Sequence, residues 1–241
     1  MQIIYSTSTS PAFNLAAEEF LFTNRQDDLL FLYVNESSVI IGSNQVIRNE
    51  VNLEFCKENN IQIVRRISGG GAVYHDLGNI NFCFISNNIA NQTTLSADFL
   101  LPVVNVLKVL NIPVEIGKRK DLWLPDGFKI SGTASHISNN RVLHHGTLLF
   151  ETNLDHLNKS LQSHDKDLSL KGTASVPSKV KNIRDYFLEK NQDLNRNDFK
   201  QNLIKQIEIY YNAQIQNLSY STEIQFLVDS KYSKVDWNFK K

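Results

Sequence analysis

Three consecutive glycines, Gly69, Gly70 and Gly71, interrupt the chain between two segments that have the pattern of β-strands. Glycine adopts positive φ without steric cost, and three in a row do not continue a helix or a strand. Consecutive exposed amide N–H groups in such a loop can bind an anion. The sequence therefore predicts a loop over residues 67–71 whose backbone is able to hold a phosphate or a carboxylate.

A plain flexible turn is the alternative interpretation of these glycines, because glycine-rich turns are common. The spacing fits neither the GxxxxGK[ST] phosphate loop nor the GxGxxG dinucleotide fingerprint, so neither class of site is predicted. Arg65 and Arg66 precede the loop at a strand end. Successive strand residues point to opposite faces, so we expect only one of the two to reach a pocket at the loop.

Lys129 begins a strand-like segment, KISGTA, after the turn-forming Pro-Asp-Gly. A lysine that enters an apolar sheet is costly unless its ammonium group meets an anion, whereas a surface lysine simply extends into solvent. His144 and His145 follow across the predicted Asn139-Asn140 turn and should face opposite ways. No cysteine or acidic residue has ligand spacing to them, so the sequence does not predict a zinc site.

The composition narrows the classes of partner and compartment. The sequence has 25 basic residues, lysine or arginine, and 25 acidic residues, aspartate or glutamate. With no net charge from these residues, we expect no general electrostatic attraction to nucleic acid or an anionic membrane. No apolar run approaches the length of a bilayer span, and the N-terminus has no secretory pattern. Two cysteines are too few for a disulfide framework. We therefore expect a cytoplasmic protein.

Helical and strand patterns are mixed without a regular βαβ alternation, which indicates an α+β fold in one domain over residues 1–241. Ser10, Asn52 and Ser96 are predicted to cap helices. An irregular, mobile loop is expected over residues 166–181. Helices are predicted over residues 11–24, 53–60, 97–110, 154–161, 183–189, 198–211 and 221–234, and strands over residues 29–34, 39–41, 61–65, 72–75, 80–85, 114–116, 122–124, 128–136 and 141–151.

The stretch of residues 65–79, RRISGGGAVYHDLGN, resembles the signature of the lipoate–protein ligases, RRxSGGGAVFHDxGN, with Tyr74 in place of phenylalanine. Further segments resemble the family in the same order, so the resemblance covers nearly the whole chain. These segments are residues 11–19, 40–45, 121–122, 129–134, 144–149, 171–176 and 237–239.

The resemblance implies mixed β-sheets flanked by helices, a class II synthetase-like fold shared with biotin ligases and octanoyltransferases. It implies ATP and Mg²⁺ as cofactors and lipoate as substrate. Lipoate and ATP would give lipoyl-AMP, and a lysine of an apo lipoyl domain would then take the lipoyl group. The implied partners are the E2 subunits of 2-oxoacid dehydrogenases and the glycine-cleavage H protein.

The resemblance also assigns roles to residues. Lys129 is the implied catalytic residue, and Asp121 is implied to lie near the adenylate or its magnesium ion. The residues implied to bind ATP and lipoyl-AMP are Arg66, Ser68, Gly69, Gly70, Gly71, Ala72, Val73, Tyr74, Asn79, Asp121 and Lys129. The residues implied to line the pocket are His75, Asp76, Ser131, Gly132, His145 and Gly146.

The chain departs from two-domain members of the family, which continue into a C-terminal accessory domain. A separate accessory protein is expected as one substitute for that domain.

A thiol-dependent octanoyl or lipoyl acyltransferase, or an amidotransferase, is one alternative function. It would need an exposed, activated cysteine, whereas Cys56 and Cys83 lie in apolar patterns and are expected to be buried. A lipoate-binding or regulatory homologue without activity is the other alternative, and the intact Arg66, Lys129 and triple glycine argue against it.

Overall fold

Six strands form the central sheet of the computed structural model, which describes residues 1–88, 96–167 and 169–240. The sheet has the order β10-β11-β6-β2-β1-β12, and two three-stranded sheets, β4-β3-β5 and β7-β8-β9, lie beside it. The elements, in chain order, are β1 (Gln2–Tyr5), α1 (Pro11–Asn24), β2 (Leu29–Tyr33), β3 (Ser38–Ile41), α2 (Ile47–Glu50), α3 (Leu53–Glu58), β4 (Gln62–Arg65), β5 (Val73–His75), β6 (Asn79–Asn87), α4 (Leu101–Val109), β7 (Glu115–Ile116), β8 (Leu122–Trp123), β9 (Lys129–Ser131), β10 (Thr133–Ser138), β11 (Arg141–Leu149), α5 (Leu154–Ser160), α6 (Ile183–Leu188), α7 (Arg196–Tyr211), β12 (Ile215–Asn217), α8 (Thr222–Leu227) and α9 (Val235–Asn238).

Helix α1 begins where the sequence predicts, because the Ser10 side chain accepts from the Phe13 amide and Pro11 occupies the first helical turn. The predicted hairpin between β10 and β11 is also present. Asn139 and Asn140 have φ values of 49° and 57°, the paired positive φ of a two-residue turn that matches the twist of a hairpin. The α+β class with mixed sheets and flanking helices is confirmed.

The central sheet separates two hydrophobic cores. Alternate residues of β6 divide between them: Phe82 and Phe84 pack with α4 and α7, whereas Cys83 and Ile85 pack with α1. The small sheet β4-β3-β5 belongs to the α1 side, where Ile40 and Val64 join the same cluster. The α1 face of the sheet and the loop after β4 therefore lie on the same side of the molecule.

Two predicted elements are wrong. The strand predicted over residues 128–136 is two strands, because the chain leaves the sheet of β9 at Gly132 and joins the central sheet as β10. The helix predicted over residues 221–234 is α8 followed by a π-helical turn, Val228–Tyr232. This wider turn lets Lys231 and Tyr232 both bond to Glu19 of α1.

The short elements β1, β12 and α2 were not predicted. β1 and β12 pair in parallel, although more than 200 residues separate them, with Ile3 opposite Ile215. Such a long-range pairing leaves little local signal in four residues. Within the described ranges, no helix combines the length and the apolar character required to cross a bilayer.

Candidate active site

A cavity of about 340 Å³ lies between the α1 face of the central sheet and the glycine loop. Tyr33, Asn81 and Thr147 line it from β2, β6 and β11, where they are direct partners across the sheet. Gly70 and Gly71 line it from the loop, and Lys129 lines it from β9. The triple glycine and the KISGTA segment thus share one cavity, as their proposed chemistry requires.

Arg66 holds the glycine loop in shape from the inside. Its guanidinium group donates to the Ser68 hydroxyl at 2.9 Å and to the carbonyls of Ile40, Gly69 and Gly71 at 2.9, 2.6 and 2.8 Å. Burial lowers the Arg66 pKa to about 10, so the group stays charged at neutral pH. Because Arg66 binds the loop carbonyls, the amide N–H groups of the loop remain available to other hydrogen-bond acceptors.

The loop has the features of an anion-binding nest. Gly70 has a φ of +85°, a conformation that favours glycine. Among the described residues, no hydrogen-bond acceptor meets the amide N–H groups of Gly69, Gly70 and Gly71. A Cβ at Gly42 would lie 2.2 Å from the Gly70 carbonyl oxygen, so the turn after β3 also needs glycine to support the loop.

Arg65 points away from the cavity, as strand alternation predicts. It is fully buried, and it donates to the carbonyls of Gly42 and Gln45 at 2.8 and 2.9 Å and to that of Lys240 at 3.0 Å. The Trp237 indole in turn donates to the Arg65 carbonyl at 2.8 Å. Arg65 therefore ties the C-terminal segment, residues 237–240, to the turn that supports the glycine loop.

Two cations converge on one carboxylate at the cavity. Lys129 Nζ lies 3.3 Å and Arg119 Nη2 lies 3.6 Å from Asp121 Oδ2. Burial alone would raise the Asp121 pKa, but a hydrogen bond from Trp123 and the Lys129 charge outweigh it, and the pKa is lowered. Burial lowers the Lys129 pKa against the opposing charge of Asp121. The three side chains carry a net positive charge that an anionic substrate can meet.

A buried hydrogen-bonded chain links α1 to the glycine loop. Glu18 accepts from the Tyr33 hydroxyl at 2.9 Å and lies 2.9 Å from His145 Nδ1, while His145 Nε2 lies 2.7 Å from the Ser68 hydroxyl. The order Glu–His–Ser is that of a hydrolase triad, but Ser68 is fully buried and does not line the cavity. The chain therefore positions the loop and does not present a nucleophile.

The sequence places no cysteine or acidic residue at ligand spacing from His145, but the fold brings one of each close to it. Glu18 and Cys83 bring ligand atoms within 4.8 Å of His145, although the three residues are far apart in sequence. The Glu18 carboxylate is already bonded to His145 and Tyr33, and burial raises the Cys83 pKa well above its ordinary value. These hydrogen bonds give the Glu18 carboxylate and the His145 ring partners within the protein, and we propose no metal ion at this cluster.

Both cysteines are free and buried, as expected. Burial raises the pKa of the Cys56 thiol to about 11, and neither residue lines the cavity described above. A thiol that stays protonated and has no access to the cavity cannot carry an acyl group.

A short segment, residues 173–176, closes one side of the cavity. The Ser175 hydroxyl accepts from the Ala72 amide at 3.0 Å and from Gln45 at 3.1 Å, and the Ser175 amide donates to Glu50. The predicted loop over residues 166–181, apart from Leu168, which lies outside the described residues, has no helix and is pinned at this point.

Seventeen residues were predicted as site residues, and the structure brings eleven of them to the cavity. These are Arg66, Gly70, Gly71, Ala72, Val73, His75, Asp121, Lys129, Gly132, His145 and Gly146. The other predicted residues, Ser68, Gly69, Tyr74, Asp76, Asn79 and Ser131, do not line it.

Those six residues have other surroundings, and one of them, Ser131, is fully buried in β9. Tyr74 alternates with Val73 and packs in the cluster around α3, and Asp76 accepts from the amides of Gly78 and Asn153. Ser68 and Gly69 bond to Arg66, and Asn79 donates to Asn81. Their predicted pocket or nucleotide contacts remain predictions, whereas their observed bonds shape the loop and the turn that follows it.

The cavity residues that the sequence analysis missed come from distant elements. Tyr33, Asn81, Thr147, Arg119 and Ser175 were not singled out. Arg119 lies two residues before Asp121 in a basic run, and Thr147 and Ser175 lie in the segments of residues 144–149 and 171–176 that resemble the family. Tyr33 and Asn81 have the pattern of ordinary strand residues, and only the sheet register brings them to the cavity.

Comparison with known proteins identifies the family. A family model described as the lipoyl protein ligase A/B catalytic domain matches residues 10–208. The chain belongs to this family. Among similar proteins, lipoate-protein ligase LplJ of Bacillus subtilis is 36% identical over 95% of the chain and 70% of its own length. Lipoate–protein ligase 1 of Staphylococcus aureus is 35% identical over 96% of the chain and 70% of its own length.

Solved structures agree with this lipoyl protein ligase fold. LipL1 of P. falciparum, in complex with lipoate, has a TM-score of 0.81 at 29% identity and covers 100% of this chain and 74% of its own. A lipoate-protein ligase A bound with ATP has a TM-score of 0.78 at 26% identity, with 99% and 98% of the two chains covered. The family member described here therefore has the fold of proteins solved with lipoate and with ATP.

Two neutral histidines of this lipoyl protein ligase domain make its stability depend on pH. Burial, the charge of Arg66 and His145 lower the His75 pKa to about 3, and burial and His145 do the same for His144. In the unfolded chain each imidazole binds a proton near pH 6.5, so the unfolded state holds more protons between about pH 3 and 6.5. Stability is therefore expected to fall as the pH drops through this window.

The expected loss is up to about 1.4 kcal/mol per pH unit for each ring. The free energy of unfolding by urea, measured at several values between pH 7.5 and 5, tests this. In His144→Phe the slope with pH is expected to be shallower than in the wild type, because one of the two rings is gone. Equal slopes in the two proteins would contradict the assignment of His144 as a buried neutral ring.

Proposed function

We propose that this chain is a lipoate–protein ligase, which converts lipoate and ATP into lipoyl-AMP and pyrophosphate and then transfers the lipoyl group to a lysine of an apo lipoyl domain. The observation that carries the proposal is the single cavity shared by the glycine-loop amides and Lys129. An acyl phosphate anhydride needs hydrogen-bond donors and cations on its phosphate and carbonyl oxygens, and these two elements supply both.

The chain's own residues account for binding and positioning. The free amides of Gly70 and Gly71 suit a phosphate, and Lys129 suits a second anionic oxygen at the same place. Lys129 is only 19% exposed at its side chain, so its charge acts where solvent screening is weak. ATP supplies the adenylyl group that turns an unreactive carboxylate into an electrophile. Positioning and charge are enough for both half-reactions, with no covalent intermediate on the protein.

Asp121 fits the proposed magnesium site. It lines the cavity, its carboxylate oxygens are the hard ligands that Mg²⁺ prefers, and its lowered pKa keeps it ionised. Mg²⁺ commonly binds through one or two carboxylates together with substrate phosphates, so one acidic side chain is sufficient here. The ion would balance phosphate charge next to Lys129.

The acceptors we propose are lipoyl domains, specifically those of 2-oxoacid dehydrogenase E2 subunits and the glycine-cleavage H protein. A structural neighbour, a bi-partite lipoate protein ligase from Thermoplasma acidophilum, was solved in a study with its E2 lipoyl domain.

A separate accessory protein is a further proposed partner. Transfer from lipoyl-AMP without transfer from lipoate plus ATP would support this partner, whereas rapid turnover from lipoate plus ATP alone would contradict it. The two free, buried cysteines are consistent with a reducing cytoplasm.

The test follows an apo lipoyl domain by intact mass in the presence of the protein, lipoate and Mg-ATP. The wild type and Cys83→Ser are both expected to add one lipoyl group per acceptor at similar rates, because the buried thiol takes no part. Loss of transfer in Cys83→Ser, with a thioester-linked protein accumulating in the wild type, would establish the acyltransferase alternative. No transfer from either lipoate plus ATP or lipoyl-AMP would favour the binding or regulatory homologue.

A further inference from the structure

Apart from the ion-paired Asp121, two polar side chains that line the cavity have an atom without a hydrogen-bond partner. His75 is 3% exposed and Asn81 is 1% exposed. Within the described part of the chain, His75 Nε2 and Asn81 Nδ2 are buried and have no hydrogen-bond partner. Both residues line the cavity. Buried polar atoms are almost always paired in folded proteins, so these two require an explanation.

The sheet register places Asn81 in the middle of the cavity and Tyr33 at the end far from Lys129. The Gly132 amide beside Lys129 donates to the Thr147 hydroxyl at 3.0 Å. Thr147 on β11 pairs with Asn81 on β6, which pairs with Tyr33 on β2. Two strand spacings, about 10 Å, thus separate Thr147 from Tyr33.

His75 lies at the same far end, because its Nδ1 atom is 3.0 Å from the side-chain nitrogen of Asn35, two residues beyond Tyr33. A carboxylate held at Lys129 therefore directs the tail of its chain towards Asn81 and His75.

A chain of asparagines fixes which nitrogen of His75 carries the hydrogen. The Asn14 amide nitrogen donates to the backbone carbonyls of Ser8 and Val34, which fixes the orientation of that side chain. Asn35 Oδ1, at 2.8 Å, is a third acceptor at the same nitrogen, so its two hydrogens are shared among the three oxygens. The Asn35 amide nitrogen must then face His75 and donate to Nδ1.

The His75 ring is neutral at physiological pH, since its pKa is lowered to about 3, mainly by burial. A neutral ring that accepts at Nδ1 carries its one hydrogen on Nε2. His75 Nε2–H is therefore a fixed donor towards the cavity, and Asn81 Nδ2 is a second unpaired donor there.

We propose that His75 is a specificity residue that selects an acyl chain with a hydrogen-bond acceptor at its far end, such as the sulfur atoms of a ring disulfide, over a plain alkyl chain. This inference rests on the proposed function of the cavity. Before a chain enters, water can satisfy the Nε2–H group. A plain alkyl tail displaces that water and leaves the donor buried and unpaired, whereas a sulfur atom, though a weak acceptor, meets it.

The test measures binding of three acids by calorimetry at neutral pH: octanoate, 8-hydroxyoctanoate and lipoate. The hydroxy acid differs from octanoate only by an acceptor and donor at its tail. The proteins are the wild type, His75→Phe, and His144→Phe as a matched control, since His144 is equally buried on the opposite face of β11 and stacks on Phe99.

The wild type is expected to bind 8-hydroxyoctanoate and lipoate each about fivefold more tightly than octanoate. In His75→Phe both preferences are expected to fall to about one, mainly through weaker binding of the two acids with acceptors. His144→Phe is expected to keep the wild-type ratios.

Equal loss of affinity for all three acids in His75→Phe would overturn the inference, because it would indicate a structural role only. If that variant does not fold, the wild type decides: equal affinity for octanoate and 8-hydroxyoctanoate overturns the inference. Failure of the proposed function looks different, because the wild type would then show these binding preferences without any transfer to a lipoyl domain.

Discussion

Lys129→Ala is expected to lower the rate of acyl-adenylate formation by about 10²- to 10³-fold, the range seen when one preorganised group that stabilises developing charge is removed. Lys129 lines the cavity together with the free loop amides, and its side chain is only 19% exposed. Among the described residues, its removal also leaves Arg119, at 3.6 Å, as the cation paired with the Asp121 carboxylate. ATP–pyrophosphate exchange dependent on lipoate measures the effect.

Lys118→Ala is the matched control for Lys129→Ala, because Lys118 lies in the same region, is exposed and does not line the cavity. Its exchange rate is expected to stay within about twofold of the wild type. If Lys129→Ala retained exchange at the level of the control, the charge that stabilises the reaction would have to come from another residue, and the proposed role of Lys129 would be wrong.

Arg66→Lys is expected to reduce turnover by about 100-fold from either lipoate plus ATP or lipoyl-AMP, and to lower the free energy of unfolding by about 2–4 kcal/mol. The guanidinium group satisfies three carbonyls and the Ser68 hydroxyl at once, and an ammonium group cannot match that planar arrangement. The carbonyls of Gly69 and Gly71 are then free to turn outward, and the anion-binding amides lose their orientation.

Arg141→Lys provides the control for Arg66→Lys. Arg141 is also buried and also donates to backbone carbonyls, those of Gln26 and Asp27, but it does not line the cavity. A comparable loss of stability with nearly normal turnover is expected for it. Should Arg66→Lys lose activity only with ATP and keep full transfer from lipoyl-AMP, Arg66 would act on the nucleotide, as the family resemblance implies, and not on the loop.

Capping and turn residues in the sequence predicted where a helix begins and where a hairpin turns. Ser10 and Pro11 mark the start of α1, and the paired asparagines at 139 and 140 mark the β10–β11 hairpin. The split of residues 128–136 at Gly132 could not be foreseen, because it depends on which sheet each half joins. The β1–β12 pair depends in the same way on contacts that only the complete fold creates.

The candidate site shows the same division. The loop glycines and Lys129 were found because they lie in residues 65–79 and 129–134, which resemble segments of the lipoate–protein ligase family. Tyr33, Asn81 and Thr147 line the cavity only because the register of β2, β6 and β11 makes them neighbours. Alternation along β5 was available in the sequence, and it separates Val73 and His75, which line the cavity, from Tyr74, which does not.

The tie between Arg65 and residues 237–240 has a practical consequence. One guanidinium group links the Lys240 carbonyl to the Gly42 carbonyl, and Gly42 in turn touches Gly70. A purification tag or a surface tether fused beyond residue 240 is therefore expected to disturb the glycine loop through these two contacts. Met1 is exposed and takes no part in them, so a tag attached there is expected to leave the loop unchanged.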